Sequence, residues 1–198
     1  LSLSPSSTEL TGCLGTDFNL DLSVGGAFEE TGATLTVAGN PAGSTVTFEN
    51  NPGLPATMVG VDITGITVAG TYLFIFNAND GINSTNAEVT LIVEDTPTAT
   101  ALVFPANAAM NVSLTPTLEW DAADFATSYD IELATDASFS NIVVSSGTTL
   151  LDFPVPTTLE FGTEYFWRVN ALGDCGTMVS MTNSFTTVPD LVLMVKFI

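Results

Sequence analysis

Residues 159–169, with the sequence Leu-Glu-Phe-Gly-Thr-Glu-Tyr-Phe-Trp-Arg-Val, decide the fold that we predict for this chain. Tyr165, Trp167 and Val169 occur at every second position, and this period of two places them on one face of a β-strand. Leu159 lies upstream of Tyr165, across a Gly-Thr turn. This spacing is typical of a tyrosine corner, in which the tyrosine hydroxyl bonds to upstream backbone at the corner of a β-sandwich. We therefore predict a β-sandwich with a packed aromatic strand.

Short runs rich in Val, Ile, Thr, Phe and Tyr recur along the whole chain, separated by Gly, Asn and Pro. This rhythm is typical of an all-β sandwich fold. No stretch combines a 3.6-residue apolar period with capping residues, so we expect essentially no helix. The first set of predicted strands covers 1–10, 18–24, 33–37, 45–49, 57–63, 70–77 and 88–93. The second set covers 102–104, 117–120, 128–134, 141–145, 150–153, a strand that opens after 163, and 183–188.

A short polar run, Thr-Pro-Thr-Ala-Thr at 96–100, lacks bulky apolar side chains and is predicted as a linker. It separates a first sandwich at 1–95 from a second at 101–189, and an apolar terminal strand follows at 190–198. Tyr72 precedes a Leu-Phe-Ile-Phe run in the first sandwich and is the candidate for a second tyrosine corner. The predicted architecture is therefore two tandem antiparallel β-sandwiches.

The charge of the chain is almost entirely negative. Its 22 Asp and Glu residues oppose only Arg168 and Lys196, which gives a net charge of −20. Binding to nucleic acid needs Lys and Arg to displace counterions from phosphates, so this balance argues against such a partner and against anionic membrane surfaces. No apolar run approaches the roughly 20 residues that a spanning helix needs. We expect neither nucleic-acid binding nor membrane insertion.

The sequence contains no histidine. This excludes a Ser-His-Asp triad, Cys-His nucleophiles and the usual zinc sites. No glycine-rich phosphate loop stands between a strand and a helix. A pair of carboxylates could serve a glycosidase, but acids spread over many short strands are expected to form a solvated surface. We therefore predict a protein that is not an enzyme, with no catalytic residues and no required cofactor.

Several segments of the second sandwich resemble a bacterial fibronectin type III module. They are Pro-Thr-Leu-Glu-Trp at 116–120, Ala-Thr-Ser-Tyr-Asp-Ile-Glu-Leu-Ala-Thr-Asp-Ala-Ser-Phe at 126–139, Thr-Glu-Tyr-Phe-Trp-Arg-Val at 163–169, Asp-Cys-Gly at 174–176 and Ser-Phe-Thr-Thr at 184–187. The resemblance covers about 101–188 and is in particular to modules in long secreted proteins of Bacteroidetes-type bacteria. The first sandwich is similar, less specifically, to the immunoglobulin-like module that often precedes such a domain, through Gly-Asn-Pro-Ala-Gly at 39–43 followed by Phe48.

In proteins of that kind the pair of modules lies beside a secreted protease domain or within a cell-surface adhesin. The resemblance therefore implies a secreted or cell-surface location, with other modules of a larger parent protein as partners. Two functions compete. The first is a structural or adhesive segment that acts as a stiff stalk or fibre unit. The alternative is an accessory module that binds a protein or polysaccharide surface for a secreted hydrolase such as a protease.

Cys13 and Cys175 are the only cysteines, and they fall in different sandwiches. The turn after the first strand is expected to place Cys13 at the far end of the first sandwich. The F–G loop of a fibronectin-like module faces the preceding domain, and Cys175 lies in that loop. We therefore predict a Cys13–Cys175 disulfide, which would imply an oxidising, exported location. The alternatives are two buried free thiols, or pairing with parts of a parent protein outside this chain.

Three acids of the second sandwich are expected at the same end as Cys175. Asp121 and Asp124 lie in the B–C loop, and Asp174 lies in the F–G loop. Because Ca²⁺ takes oxygen ligands, these carboxylates form a candidate calcium site. No spaced calcium-binding loop is present, so exposed acids are the competing interpretation.

The aromatic residues of the second sandwich are interpreted as core rather than as a platform for sugar stacking. The structural residues predicted to hold that core together are Tyr165, Trp120, Trp167 and Leu159. Phe125, Phe161 and Phe166 are not assigned to either role. A carbohydrate-binding surface would need two or three of them exposed and coplanar.

The apolar segment 191–198, Leu-Val-Leu-Met-Val-Lys-Phe-Ile, exceeds the strand count of a sandwich. Free in water, such a strand would promote aggregation. Three interpretations stay open. The segment is the first strand of a further module, or it pairs with an edge of its own chain, or it is donated to a neighbouring subunit by β-augmentation and builds a fibre.

Overall fold

The computed structural model describes residues 1–26 and 32–190 and divides the chain into two compact units, Leu1–Asp95 (unit 1) and Thr96–Ile198 (unit 2). Every regular element in the described part is a β-strand, which confirms the all-β prediction. The same residues include no helix that is long and apolar enough to cross a membrane. The predicted terminal strand at 191–198 lies outside the described residues.

Unit 1 is a sandwich of two four-stranded sheets. Its strands are β1 (Ser2–Pro5), β2 (Glu9–Cys13), β3 (Phe18–Gly25), β4 (Thr34–Ala38), β5 (Thr45–Phe48), β6 (Thr57–Thr64), β7 (Gly70–Asn79) and β8 (Ser84–Glu94). One sheet has the order β1-β3-β6-β5 and the other β2-β8-β7-β4, and only the β2–β8 pair is parallel. The two orders correspond to the A-B-E-D and C-F-G sheets of an immunoglobulin-like sandwich, with β2 added beside the last strand.

The core of unit 1 follows from strict alternation along its strands. In β3, apolar side chains at every second position are buried and the polar ones between them are exposed. Because successive side chains of a strand point to opposite faces, this pattern commits one face of each sheet to the interior. The large, fully buried side chains of this core are Leu22, Val24, Val59, Ile63, Phe74, Phe76 and Leu91.

Unit 2 is a sandwich of a larger and a smaller sheet. Its strands are β9 (Leu102–Phe104), β10 (Ala109–Val112), β11 (Thr117–Trp120), β12 (Ser128–Ala134), β13 (Ile142–Thr148), β14 (Asp152–Pro154), β15 (Glu164–Gly173), β16 (Gly176–Val179) and β17 (Asn183–Thr187). The larger sheet has the order β10-β17-β15-β12-β13, with β16 also paired to β15, and the smaller has the order β14-β11-β9. The central β15 contains the Tyr165–Val169 pattern from which the fold was predicted.

Two strands of unit 2 were missed by the sequence-based prediction. All four residues of β16 are exposed, and β10 has one buried residue, so neither strand carries the alternation that identifies a strand. Both exist because a longer neighbour supplies the pairing: β16 continues the hairpin from β15, and β10 runs parallel to β17. Strand β8 likewise begins at Ser84 rather than 88, because its polar first residues pair with the end of β7.

The run 96–100, predicted as a linker, lies with unit 2 and is bonded to it. The Thr98 N–H donates to the Asp124 carbonyl at 3.1 Å, and the Asp124 N–H donates to the Thr98 hydroxyl at 2.9 Å. The buried Thr100 hydroxyl donates to the Asp121 carbonyl. The backbone of the loop between β11 and β12 is therefore held by the backbone and the hydroxyl groups of the N-terminal segment of unit 2.

Candidate functional site

Cys13 lies where the chain leaves unit 1. It is the last residue of β2 and pairs with Glu94, the last residue of β8. The Leu14 N–H donates to the Glu94 carbonyl at 2.7 Å, and the Thr16 hydroxyl donates to the Cys13 carbonyl at 2.7 Å. These bonds hold the half-buried Cys13 beside the C-terminal end of its unit.

Cys175 lies where the chain begins unit 2. It occupies the tight turn between β15 and β16, whose flanking residues Gly173 and Gly176 pair with each other. The absence of a side chain at Gly173 is required here, because a Cβ would lie 2.2 Å from the Phe125 carbonyl oxygen and 2.9 Å from the Pro97 ring. The turn is therefore packed closely on the first residues of unit 2. No cysteine in the described part of the chain is a free thiol.

The three acids of the candidate calcium site do not form a metal-binding group among the described residues. Asp121, Asp124 and Asp174 are all exposed, and residues 1–26 and 32–190 contain no group of three or more His, Cys, Asp or Glu side chains that could hold a metal ion. The physical reason is that the β11–β12 loop is fixed by its backbone. The Asp121 N–H donates to the Ala101 carbonyl at 2.9 Å, and the Asp124 backbone bonds to Thr98. Backbone groups hold the loop, and its carboxylates stay in solvent.

The four aromatic and aliphatic residues predicted as core lie in the interior of unit 2. Trp120, Tyr165 and Leu159 are each 3% exposed, and Trp167 is fully buried. The Tyr165 hydroxyl accepts a hydrogen bond from the Glu160 N–H at 3.0 Å, so the tyrosine reaches back to upstream backbone. The Tyr165 ring stacks on Phe185 with centroids 5.8 Å apart. This arrangement is the geometry of a tyrosine corner.

Phe125 and Phe161 do not form a stacking platform. Phe125 is 44% exposed and Phe161 is 51% exposed. They lie at opposite ends of the ten-residue strand β15, since Phe125 packs near Gly173 and Phe161 precedes Glu164. A strand of that length spans about 33 Å. The two rings are therefore too far apart to bind neighbouring sugar residues.

The chain's only arginine organises a polar cluster on the outer face of unit 2 that the sequence-based analysis missed. Arg168 Nε lies 2.6 Å from Glu132 Oε2, and its guanidinium lies 4.0 Å from the centroid of Phe139. Glu132 and Arg168 are directly opposite each other on β12 and β15. At such partly exposed positions each contact contributes about 0.5–1 kcal/mol. The signal in the sequence was only that each residue occupies an outward-facing position of its predicted strand.

The turn that presents Phe139 is built on a single carboxylate. Asp136 accepts hydrogen bonds from the backbone N–H groups of Ser138, Ser140 and Asn141 and from the Ser138 hydroxyl. Phe139 has a positive φ of 56°, which is uncommon for a bulky residue. The Ser138 hydroxyl and the backbone N–H groups lower the pKa of Asp136 from 3.8 to about 2. The ionised carboxylate is thus the form that stabilises this turn.

Unit 1 carries an open polar groove of about 680 Å³ between β4 and the β7–β8 turn. Cross-strand pairs Thr34–Asn79 and Thr36–Asn77 line it on neighbouring strands. At its rim the backbone N–H groups of Asn83 and Ile82 lower the pKa of Asp80 below 3.8. The groove presents hydroxyl and amide groups, with the ionised Asp80 carboxylate at its rim.

Comparison with known proteins identifies the fold. The chain is similar to the I-band fragment I67–I69 of titin (10% identity, TM-score 0.56, covering 94% of this chain and 65% of that chain). It is also similar to domains A168–A170 of titin (17% identity, TM-score 0.55, 90% and 61%) and to the D1–D4 ectodomain fragment of ICAM-5 (11% identity, TM-score 0.50, 93% and 50%). The chain therefore spans one half to just under two thirds of these structures. No protein-family model matches it, and no curated protein matches it.

At these identities the similarity shows the fold alone. The similar structures are tandem modules of the immunoglobulin and fibronectin type III kind, which matches the sheet orders of units 1 and 2. Folds of this kind host many functions, so the fold by itself does not choose a role. The chain is a tandem pair of immunoglobulin-like and fibronectin type III-like β-sandwiches.

Proposed function

We propose that this chain is a non-catalytic structural or adhesive segment of a secreted or cell-surface bacterial protein, in which a Cys13–Cys175 disulfide makes a stiff stalk. The observation that carries the proposal is the position of the two cysteines. Cys13 lies beside Glu94, the last residue of β8, and Cys175 lies in a turn packed against Pro97. The connecting chain between these two positions is very short.

The energetic argument concerns the long loop that such a disulfide closes. In the chain-entropy model, a loop of this length stabilises the folded chain by roughly 5 kcal/mol relative to the reduced form. A bond at the connection also restricts bending, because it adds a second covalent link beside the polypeptide itself. Disulfides persist in oxidising compartments, which supports an exported location. The bacterial and adhesive context comes from the resemblance of 101–188 to secreted fibronectin type III modules.

The absence of histidine supports a non-catalytic role, since it removes the commonest general base and the usual zinc ligand. The high negative charge disfavours binding to nucleic acid and to anionic membrane surfaces. The partners that fit are other modules of a larger parent protein, for which the chain would set distance and orientation.

The test is peptide mapping of the full chain after alkylation under denaturing conditions without reductant. We expect one cross-linked peptide pair that contains Cys13 and Cys175, and no alkylated cysteine. Cys13→Ser is the matched variant: it is expected to leave one titratable thiol at Cys175. Alkylation of both cysteines in the unreduced chain, or a covalent dimer, would exclude the clamp.

Stiffness is measured separately by small-angle scattering. The double variant Cys13→Ser with Cys175→Ser is expected to show a broader distribution of maximum dimension than the parent chain, with unchanged far-ultraviolet circular dichroism. Identical distributions would mean that the bond does not limit bending.

A second candidate function is an accessory binding module of a secreted hydrolase, and the polar groove of unit 1 favours it. Hydroxyl and amide side chains from β4 and β7 converge there without a net cluster of charge. Retention of the full chain on insoluble polysaccharides, abolished by Thr36→Ala with Asn77→Ala and not by Ser145→Ala in unit 2, would support this function. No retention on any polymer, before or after substitution, would leave the structural role alone.

A further inference from the structure

Strand β13 is an unprotected edge of unit 2. It is the last strand of the larger sheet and has one strand neighbour, β12, in the described part of the chain. At seven residues it is longer than every other edge strand of either unit, which have three to five. The run 142–151, Ile-Val-Val-Ser-Ser-Gly-Thr-Thr-Leu-Leu, contains no charged residue and no proline. Natural sheets usually protect a long edge with one of these.

The edge strand β4 of unit 1, in contrast, is protected by a side chain and by an isolated bridge. Along β4, the Asn51 side-chain amide bonds to both the N–H and the carbonyl of Leu35, at 2.9 and 2.8 Å. An isolated bridge between Ala33 and Gly53 closes the same edge further along. In β13 the only irregularity is a register shift near Val143, and the ladder from Val144 to Thr148 is regular. A five-residue stretch of edge is therefore available for pairing.

The charge of the molecule restricts what can pair with this edge. Any acidic segment would be repelled, because the net charge is −20. Arg168 is already engaged by Glu132 and Phe139. The other cation of the sequence is Lys196, within the apolar segment 191–198. A carboxylate stands near the edge, since a Cβ at Gly147 would lie 3.0 Å from Asp130 Oδ1.

Chain length favours pairing between two copies over pairing within one. The Val188 N–H bonds to the Val112 carbonyl, so the described chain ends beside β10 and β17, at the opposite edge of the same sheet from β13. Crossing from β17 to β13 covers three strand spacings, about 14 Å. An extended chain covers this distance in about four residues, 189–192, so pairing within one chain would leave six residues of the segment for the strand. A second copy can receive all eight residues as a strand.

We propose that the outer edge of β13 accepts segment 191–198 of a second copy of this chain as an added β-strand. The backbone of the edge supplies the hydrogen bonds, and the apolar side chains of the segment cover Ile142 and Val143, which are partly exposed. Because the donor and acceptor surfaces differ, the contact is head-to-tail and gives an open chain of copies. This inference rests on the proposed structural function and names its partner.

The experiment measures association of the full chain by sedimentation velocity across a concentration series, with amide hydrogen exchange at both ends of the series. We expect concentration-dependent association, with slower exchange at 144–148 in the associated chain. Leu193→Asp with Val195→Asp is expected to raise the concentration of half-association at least tenfold. Ile82→Asp, which changes an exposed aliphatic residue of the β7–β8 turn, is the control and is expected to leave it unchanged.

A charge exchange tests the site itself. Ser145→Lys places a cation on β13 and is expected to weaken association several-fold, and Lys196→Glu in the same chain is expected to restore it. A chain that stays monomeric, with fast exchange at 144–148, overturns the inference, as does protection of 144–148 that is independent of concentration. Neither result changes the peptide map of the cysteines. Failure of the strand-addition proposal is therefore distinguishable from failure of the proposed Cys13–Cys175 disulfide.

Discussion

The two units place a tyrosine at the start of the same strand and use it in opposite ways. In unit 2 the Tyr165 hydroxyl accepts a bond from the Glu160 N–H, and the ring is buried against Phe185. In unit 1 the Tyr72 hydroxyl donates to the Val68 carbonyl at 2.7 Å, and the ring is only half-buried. The same residue type therefore closes a core in one unit and covers a surface turn in the other.

The two cores also differ in whether their large rings carry a polar atom. Unit 1 is filled by aliphatic residues and phenylalanines such as Phe74 and Phe76, which have no polar atom to satisfy. Unit 2 buries two tryptophans, and the indole N–H groups of Trp120 and Trp167 have no hydrogen-bond partner among the described residues. A buried donor without a partner costs about 1–3 kcal/mol. Unit 2 thus obtains two large buried rings at the cost of two unsatisfied N–H groups.

The largest expected effect comes from the central tryptophan. Trp167→Ala removes a fully buried ring and is expected to lower the free energy of unfolding of unit 2 by about 3–5 kcal/mol. Trp167→Phe is expected to cost clearly less, because it keeps an aromatic ring and removes the unpartnered N–H. Urea unfolding followed by the fluorescence of Trp120 measures unit 2, since unit 1 contains no tryptophan.

The matched change in unit 1 is Phe74→Ala, which removes a fully buried ring that has no polar atom. We expect the free energy of unfolding of unit 1 to fall by a similar amount, measured by circular dichroism. Because Phe74 has no polar atom, none of this loss reflects an unpartnered N–H group. If Trp167→Phe cost as much as Trp167→Ala, the unpartnered indole N–H would not explain the difference between the two cores.

The next effect tests the two tyrosines directly. Tyr165→Phe leaves the Glu160 N–H without its partner at a part-buried position, and we expect a loss of about 1–3 kcal/mol in unit 2. Tyr72→Phe frees the carbonyl of Val68, which is 64% exposed and can bond to water, so we expect at most about 0.5–1 kcal/mol. Equal losses in urea unfolding would mean that burial does not distinguish the two bonds.

The sequence allowed the strands to be predicted wherever burial imposed a period of two. Strands β3, β12 and β15 alternate almost without exception, because one face of each meets the core. Strands β10 and β16 could not be predicted, because β16 is exposed, β10 buries one residue, and both depend on pairing with a longer neighbour. Local pattern thus predicts strands that bury side chains and misses strands that only extend a sheet.

Side-chain sites were less predictable than strands. Asp121 and Asp124 lie in the β11–β12 loop, whose backbone bonds leave their side chains in solvent, and Asp174 is exposed in the β15–β16 turn. The Arg168 cluster required the register of β12 against β15, which no local pattern gives. Cys13 ends β2 and Cys175 lies in the turn between β15 and β16, and the bond between them stays a prediction.

The smallest effect concerns two turn carboxylates and pH. The Ser138 hydroxyl and three backbone N–H groups lower the pKa of Asp136 to about 2, and the N–H groups of Asn83 and Ile82 lower that of Asp80 below 3.8. In the unfolded chain both groups titrate near 3.8. Each turn is therefore stabilised fully above pH 3.8, and this stabilisation is lost as the pH falls through the folded-state pKa, near pH 2 for Asp136.

Carboxyl carbon chemical shifts, followed by NMR from pH 6 to pH 1.5, measure both midpoints in one sample. Ser138→Ala removes the hydroxyl that contributes most, so we expect the midpoint of Asp136 to rise toward 3.8 while that of Asp80 stays in place. This result would show that the two low pKa values have different causes. The pKa of Asp136 depends on a side-chain hydroxyl, and that of Asp80 depends on backbone N–H groups that no substitution at 138 affects. An unchanged midpoint for Asp136 would assign its low pKa to the backbone of the turn, as in unit 1.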